Sequence, residues 1–393
     1  MRTLRNLGPW VLSAALLAAC GGGDPDVPGS GSPSGAPTTK GTFTAVVSFG
    51  DSLSDAGTYT PATSVTADGN PPFVGGKFTN NTDGGWVWVE SVAATLGLLV
   101  TPAEVGWAGA SQPCPAAANP ALANTCTAYG QGGARVSNPD GIGHANGALT
   151  VPMTTQIANH LARKGNFTDN DLVLVYGGNN DAFVQLGAFS AAATQIQADA
   201  LAGKITADQA QQMLFAAQQQ AMAGMQTAAL ELSNAVVTQI LGKGGKYVAV
   251  FLLSDIVDTP FGQTLPAEVQ GVLSALSQNF NLWLRQGLTG QPVQLIDAWT
   301  IFKAVAADPA KYGIANNSVP TCDAAKISAI TGGAITDGTS LFCNSTMGLP
   351  WYGIRDGADV ATWQFADSVH PTTKGHQLLS DAVLEQLKAF GWI

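Results

Sequence analysis

Four short runs that are apolar on both faces constrain this chain more than any other feature. Residues 44–49 (TAVVSF), 172–176 (LVLVY), 247–253 (YVAVFLL) and 293–296 (VQLI) show no polar alternation. Each therefore reads as a strand covered on both sides rather than one with a wetted face. Helix-forming stretches lie between them. Residues 207–241 are rich in Ala, Gln, Met and Leu at helical spacing and stop at Gly242 and Gly244, while 265–288 and 373–387 read as further helices. Strands and helices in alternation predict a mostly parallel sheet in a three-layer α/β/α domain. No repeat divides the chain, so one domain is expected over 42–393. Its long excursions at 70–86, 102–147 and 306–357 are of a length more often functional or disulfide-pinned than idle.

The segment before this domain has a different character. Arg2 and Arg5 precede a short apolar stretch, then Leu17-Ala18-Ala19-Cys20 and a run of glycines. The apolar part is too short to span a bilayer, and the pattern predicts a cleaved leader over 1–19. A cysteine at such a cleavage point resembles the bacterial lipobox, which implies acylation of Cys20 and a membrane attachment there; plain secretion is the alternative. Residues 20–41 carry many Gly, Pro and Ser and almost no apolar side chains, so they are expected to act as a disordered tether. A flexible segment of that length reaches about 25 Å.

Charge and cysteine usage narrow the partners. Lys and Arg number 17 against 27 Asp and Glu, a net charge of −10, and such a field repels phosphate backbones, so nucleic acid is excluded as a partner. With Cys20 set aside, four cysteines remain, Cys114, Cys126, Cys322 and Cys343. In an exported chain they are expected to pair. Local pairing, Cys114 with Cys126 and Cys322 with Cys343, is the simplest of three connectivities. Zinc binding is the rival reading, weakened by wide spacings and by the absence of a histidine near either pair in sequence.

The first strand runs directly into Phe49-Gly50-Asp51-Ser52-Leu53-Ser54-Asp55. A serine at the carboxyl end of a parallel strand stands where open α/β sheets bind ligands, although Asp and Ser there also serve as ordinary turn and cap residues. The strand 172–176 ends in Gly177-Gly178-Asn179-Asn180-Asp181. Near the C-terminus, Asp367-Ser368-Val369-His370-Pro371-Thr372 precedes the last helix, and Asp and His three residues apart can face the same way, leaving one ring nitrogen for a hydroxyl.

These blocks, FGDSLSD, GGNND and DSVHPT, closely resemble the signature blocks of the GDSL (SGNH) serine hydrolases, in the family's order and over nearly the whole folded chain. The resemblance implies a flavodoxin-like fold and ester hydrolysis through an acyl intermediate. It makes Ser52 the nucleophile, His370 the base and Asp367 its orienting acid, and implies no metal or organic cofactor. Three oxyanion donors are also implied: the Ser52 N–H, the Asn180 side chain and a glycine N–H from a further block. Two stretches compete for that glycine, Gln131-Gly132-Gly133-Ala134-Arg135 and Trp107-Ala108-Gly109-Ala110. Gly133 is the choice and Gly109 the runner-up, because this block lacks the family's usual Asn-x-Ala start.

The remaining candidates have bland readings. His376, His144 and His160 fall outside the blocks and are expected to be structural, and Asp51 to support the site by hydrogen bonding. Arg135 could meet an anionic substrate group or form an internal ion pair. Trp86, Trp88, Trp351, Tyr352 and Trp363 suit lipid or aryl esters, without excluding acetylated polysaccharide. Acyl transfer to an alcohol would use the same residues as hydrolysis. A surface-anchored carbohydrate- or lipid-binding protein without turnover is the rival from another class.

Overall fold

The computed structural model describes residues 35–63, 75–81 and 85–393. The leader, Cys20 and most of the tether lie outside them. Among the described residues six strands form two sheets: β1 (Ala45–Gly50), β2 (Glu104–Trp107), β3 (Ala110–Pro113), β4 (Asp171–Tyr176), β5 (Tyr247–Leu252) and β6 (Gln294–Asp297). The main sheet is parallel in the order β1-β4-β5-β6, with Val47 beside Val173 and Leu174 beside Ala249. All six residues of β5 are buried, in keeping with helices on both faces.

A fifth segment extends the sheet beyond β1. The Ser48 N–H donates to Thr127 O at 2.9 Å, the Tyr129 N–H to Ser48 O at 2.8 Å and the Gln131 N–H to Gly50 O at 3.2 Å, and the pairing is parallel. The chain thus leaves β1 in one direction and returns past it to β4. Right-handed crossovers then place the two sets of helices on opposite faces. Helices Trp88–Thr95 and Thr373–Ala389 pack together on one face, and Met153–Lys164, Asn179–Leu201, Ala207–Ala235 and Ala267–Gly287 form a connected group on the other. The reversal of strand order between β1 and the 127–131 segment is the switch point at which doubly wound sheets open a ligand crevice.

The core runs along both faces, with Tyr176 stacked on Phe251 at 4.7 Å and Trp88 against Phe251 at 4.9 Å. Trp88 is wholly buried, so it belongs to the core and not, as its sequence context suggests, to a substrate-facing loop.

Two of the excursions, 102–147 and 306–357, carry structure of their own. Within 102–147, β2 and β3 form a hairpin whose two turn residues, Ala108 and Gly109, have φ of 53° and 81°, the sign that a tight twisted hairpin requires. Within 306–357, helix Ala324–Ile330 and the turn Ser340–Phe342 pack Ile327, Leu341, Phe342 and Ile354 into a second small core with Tyr59. Disulfides join Cys114 to Cys126 and Cys322 to Cys343, with Cα separations of 5.7 and 6.1 Å. The local pairing holds, and no thiolate among these four is left for a metal.

Candidate active site

Ser52 opens a single 3₁₀ turn, Ser52–Ser54, directly after β1. Asp51 caps this turn by accepting the Leu53 N–H at 3.1 Å, and its other oxygen accepts from the Asn179 side chain at 3.1 Å. Burial pushes the Asp51 carboxyl up to about 6, and its place is beneath the serine as the sequence suggests. The Gln156 side chain holds the preceding Gly50 from both sides, accepting its N–H at 2.9 Å and donating to its carbonyl at 2.8 Å. A buried glutamine in this role carries no sequence signal, because its partner is 106 residues away.

His370 reaches Ser52 from the far end of the chain. Its Nε2 lies 2.8 Å from Ser52 Oγ, and its Nδ1 lies 2.8 Å and 2.9 Å from the two Asp367 oxygens. With Nδ1–H donated to the carboxylate, Nε2 is left to accept the serine proton. Asp367 Oδ1 also accepts the N–H groups of Val369 and His370, and Oδ2 accepts the Ser340 N–H at 2.8 Å. Burial alone would raise the Asp367 carboxyl. The facing imidazole and these hydrogen bonds outweigh it and hold the group well below the usual carboxylate range. The Phe78 ring packs on His370 at 4.7 Å.

Three donors are the candidates for receiving an oxyanion. The Ser52 N–H begins its turn and so has no intrahelical acceptor. The Gly133 N–H meets no acceptor among the described residues. Asn180, at the start of helix Asn179–Leu201, donates one amide hydrogen to Ala134 O at 2.8 Å, which fixes the direction of the other. Gly133 has a φ of 77°, and a Cβ there would stand 2.0 Å from Ile142 O. Its neighbour Gly132 is clamped by Asp55, which accepts its N–H at 2.8 Å, and by the Tyr59 hydroxyl, which donates to its carbonyl at 2.6 Å. Gly109 stands exposed at the hairpin turn.

Arg135 forms an internal ion pair with the buried Asp181 at 3.0 Å, and Asp181 also accepts the Val136 N–H at 3.0 Å. The pair ties the glycine block to the asparagine block. His376 is buried, meeting the Trp88 N–H at Nδ1 and Phe78 O at Nε2, and desolvation holds it down to about 3. His160 is also buried and stacks on Phe167 at 4.4 Å, whereas the exposed His144 meets the Thr150 hydroxyl at 3.1 Å.

The arrangement can deprotonate a serine hydroxyl and receive an oxyanion beside it. A family model for GDSL-like lipases and acylhydrolases matches residues 46–383. Two proteins named Esterase EstA, from Pseudomonas aeruginosa and Pseudomonas putida, are each 29% identical to it across 96% of this chain. The chain spans about half the length of these curated relatives, 50% in each case.

Proposed function

Because the chain belongs to the GDSL-like lipase/acylhydrolase family, we propose that it hydrolyses carboxylic esters through an acyl intermediate on Ser52. His370 takes the Ser52 proton as Oγ attacks the ester carbonyl, and returns it to the departing alcohol. It then takes a proton from water, whose attack releases the acid and regenerates the serine. Asp367 keeps the imidazole oriented and balances its charge while it carries the proton. The Ser52 N–H, the Gly133 N–H and Asn180 Nδ2 stabilise the oxyanion in both halves of the cycle.

The observation that carries this reading is the continuous line Ser52 Oγ, His370 Nε2, His370 Nδ1, Asp367 Oδ2, with both gaps at 2.8 Å. Part-buried Leu53 follows the serine, Phe183 lies three residues after Asn180, and the Phe261 N–H donates to Ser368 O at 2.8 Å with its ring edge to face on Phe183 at 5.6 Å; these side chains suit the apolar part of a lipid or small-molecule ester. A fluorophosphonate probe tests the nucleophile. It should label the wild type and not Ser52→Ala, and His370→Ala should lose turnover while remaining folded. Labelling of Ser52→Ala at the wild-type rate overturns the assignment. A panel of acyl chain lengths, run with and without an alcohol acceptor, separates hydrolysis from acyl transfer.

The reading extends to location. Two disulfides fit an exported protein, and the LAAC pattern supports removal of residues 1–19 and lipid attachment at Cys20. The tether over 20–41 then carries a single hydrolase domain over 42–393.

A further inference from the structure

Asp367 takes four hydrogen bonds, and three of them come from its own turn: the Val369 N–H, the His370 N–H and His370 Nδ1. The fourth, the Ser340 N–H at 2.8 Å, is the one that ties the carboxylate to a different part of the molecule. Ser340 begins the turn Ser340–Phe342, whose carboxyl end is Cys343. The other half of that disulfide touches the same strand of chain, since the Cys322 N–H donates to Ala366 O at 2.8 Å and the Thr321 N–H to Phe365 O at 2.9 Å. Cys322, Cys343, Ser340, Ala366 and Asp367 are all buried. The two ends of one covalent clasp therefore grip consecutive residues, 366 and 367, immediately before the histidine loop.

We propose that the Cys322–Cys343 disulfide is a positioning element of the active site, holding the Ser340 N–H on Asp367 Oδ2 so that the carboxylate stays ionised and aimed at His370. The inference rests on the triad reading above. Its physical content is that a buried carboxylate stripped of one fixed donor is less able to hold a charge and a single orientation. The clasp bears on Asp367 and Ala366 and reaches Ser52 only through His370, so its loss is expected to fall on the chemical step rather than on binding. Cys114–Cys126 closes a loop of the same kind on the hairpin excursion, far in sequence from Asp367, and serves as the internal control.

The test compares wild type, the double variant Cys322→Ala/Cys343→Ala and the double variant Cys114→Ala/Cys126→Ala, on a p-nitrophenyl ester at a temperature where melting curves show each folded. Loss of Cys322–Cys343 should lower kcat by about tenfold with KM within about twofold, whereas loss of Cys114–Cys126 should leave both within about twofold. Equal kcat in the two double variants, or a change in KM alone, overturns the proposal. Should Cys322→Ala/Cys343→Ala not fold, wild-type protein is treated with a phosphine reductant while folded and the thiols of each pair are counted by mass mapping. Activity should then fall in step with free Cys322 and Cys343; full activity with that pair reduced refutes the idea. Fluorophosphonate labelling of wild type and Ser52→Ala runs alongside, so that failure of the triad reading is seen separately.

Discussion

Asn180 Nδ2 lies 2.8 Å from the carbonyl oxygen of Ala134, one residue beyond Gly133. That bond consumes one amide hydrogen and fixes the direction of the other, so the side chain is set before any substrate arrives. Asn180→Ala should lower kcat by on the order of 10²–10³ with a smaller change in KM, because the donor matters most once charge has developed on the carbonyl oxygen. Steady-state kinetics decide it; a rise in KM alone would make Asn180 a binding group.

The two glycine candidates separate by substitution. Gly133→Ala places a Cβ 2.0 Å from Ile142 O in a left-handed backbone, so the block must shift and kcat should collapse with stability. Gly109→Ala meets no atom within 4 Å at a φ of 81°. It should cost about 1 kcal/mol of backbone strain and leave kcat unchanged. Parallel kinetics and denaturation on both variants check this.

Arg135→Met tests the buried pair. It would strand the Asp181 carboxylate, 4% exposed, with the Val136 N–H as its partner. Breaking such a pair costs roughly 3–5 kcal/mol, readable as a lowered urea midpoint. Lys246→Met removes the exposed pair with Asp169 and should leave the midpoint where it was.

His160 predicts a pH effect on stability. Its two ring nitrogens have no hydrogen-bond partner among the described residues, and burial lowers it from 6.5 to about 4. Below pH 6.5 the unfolded chain takes up a proton that the folded protein refuses, so stability present at neutral pH is lost as pH falls toward 4. His160→Phe removes that loss. Relative to wild type it should gain about 2 kcal/mol between pH 7.5 and pH 5. Burial pushes Asp51 and Asp55 up to about 6, which works in the opposite sense but is common to both proteins. Urea midpoints that move in parallel with pH would remove His160 from the account.

Attachment through Cys20 predicts that a fatty-acid analogue fed to expressing cells marks the wild type and not Cys20→Ala. Equal labelling of the two would leave the leader as an ordinary secretion signal.

Much of this was legible in the sequence because the strands that carry the site are apolar runs ending in polar blocks. Ser52 and Asn180 each follow such a run, His370 stands in a polar block just before the last helix, and the four strands of the main sheet fall within a residue or so of their predicted places. What escaped was non-local. The 127–131 segment is short, has only Thr127 and Tyr129 as buried side chains of strand character, and pairs with β1 through a few hydrogen bonds, too little for periodicity to register. Helix Asn179–Leu201 begins inside the Gly-Asn block, and its polar first turn masks it. The Asp55 clamp on Gly132 and the Ser340 donor to Asp367 join residues 77 and 27 apart in sequence, and backbone donors leave no side-chain signature.

The serine and the histidine that approach to 2.8 Å are separated by 318 residues of chain. A polypeptide made from its amino end therefore presents its proposed nucleophile long before its base exists, and the asparagine and glycine donors arrive separately in between. The serine of the proposed array stays without its base until the segment carrying Asp367 and His370 has folded back onto it.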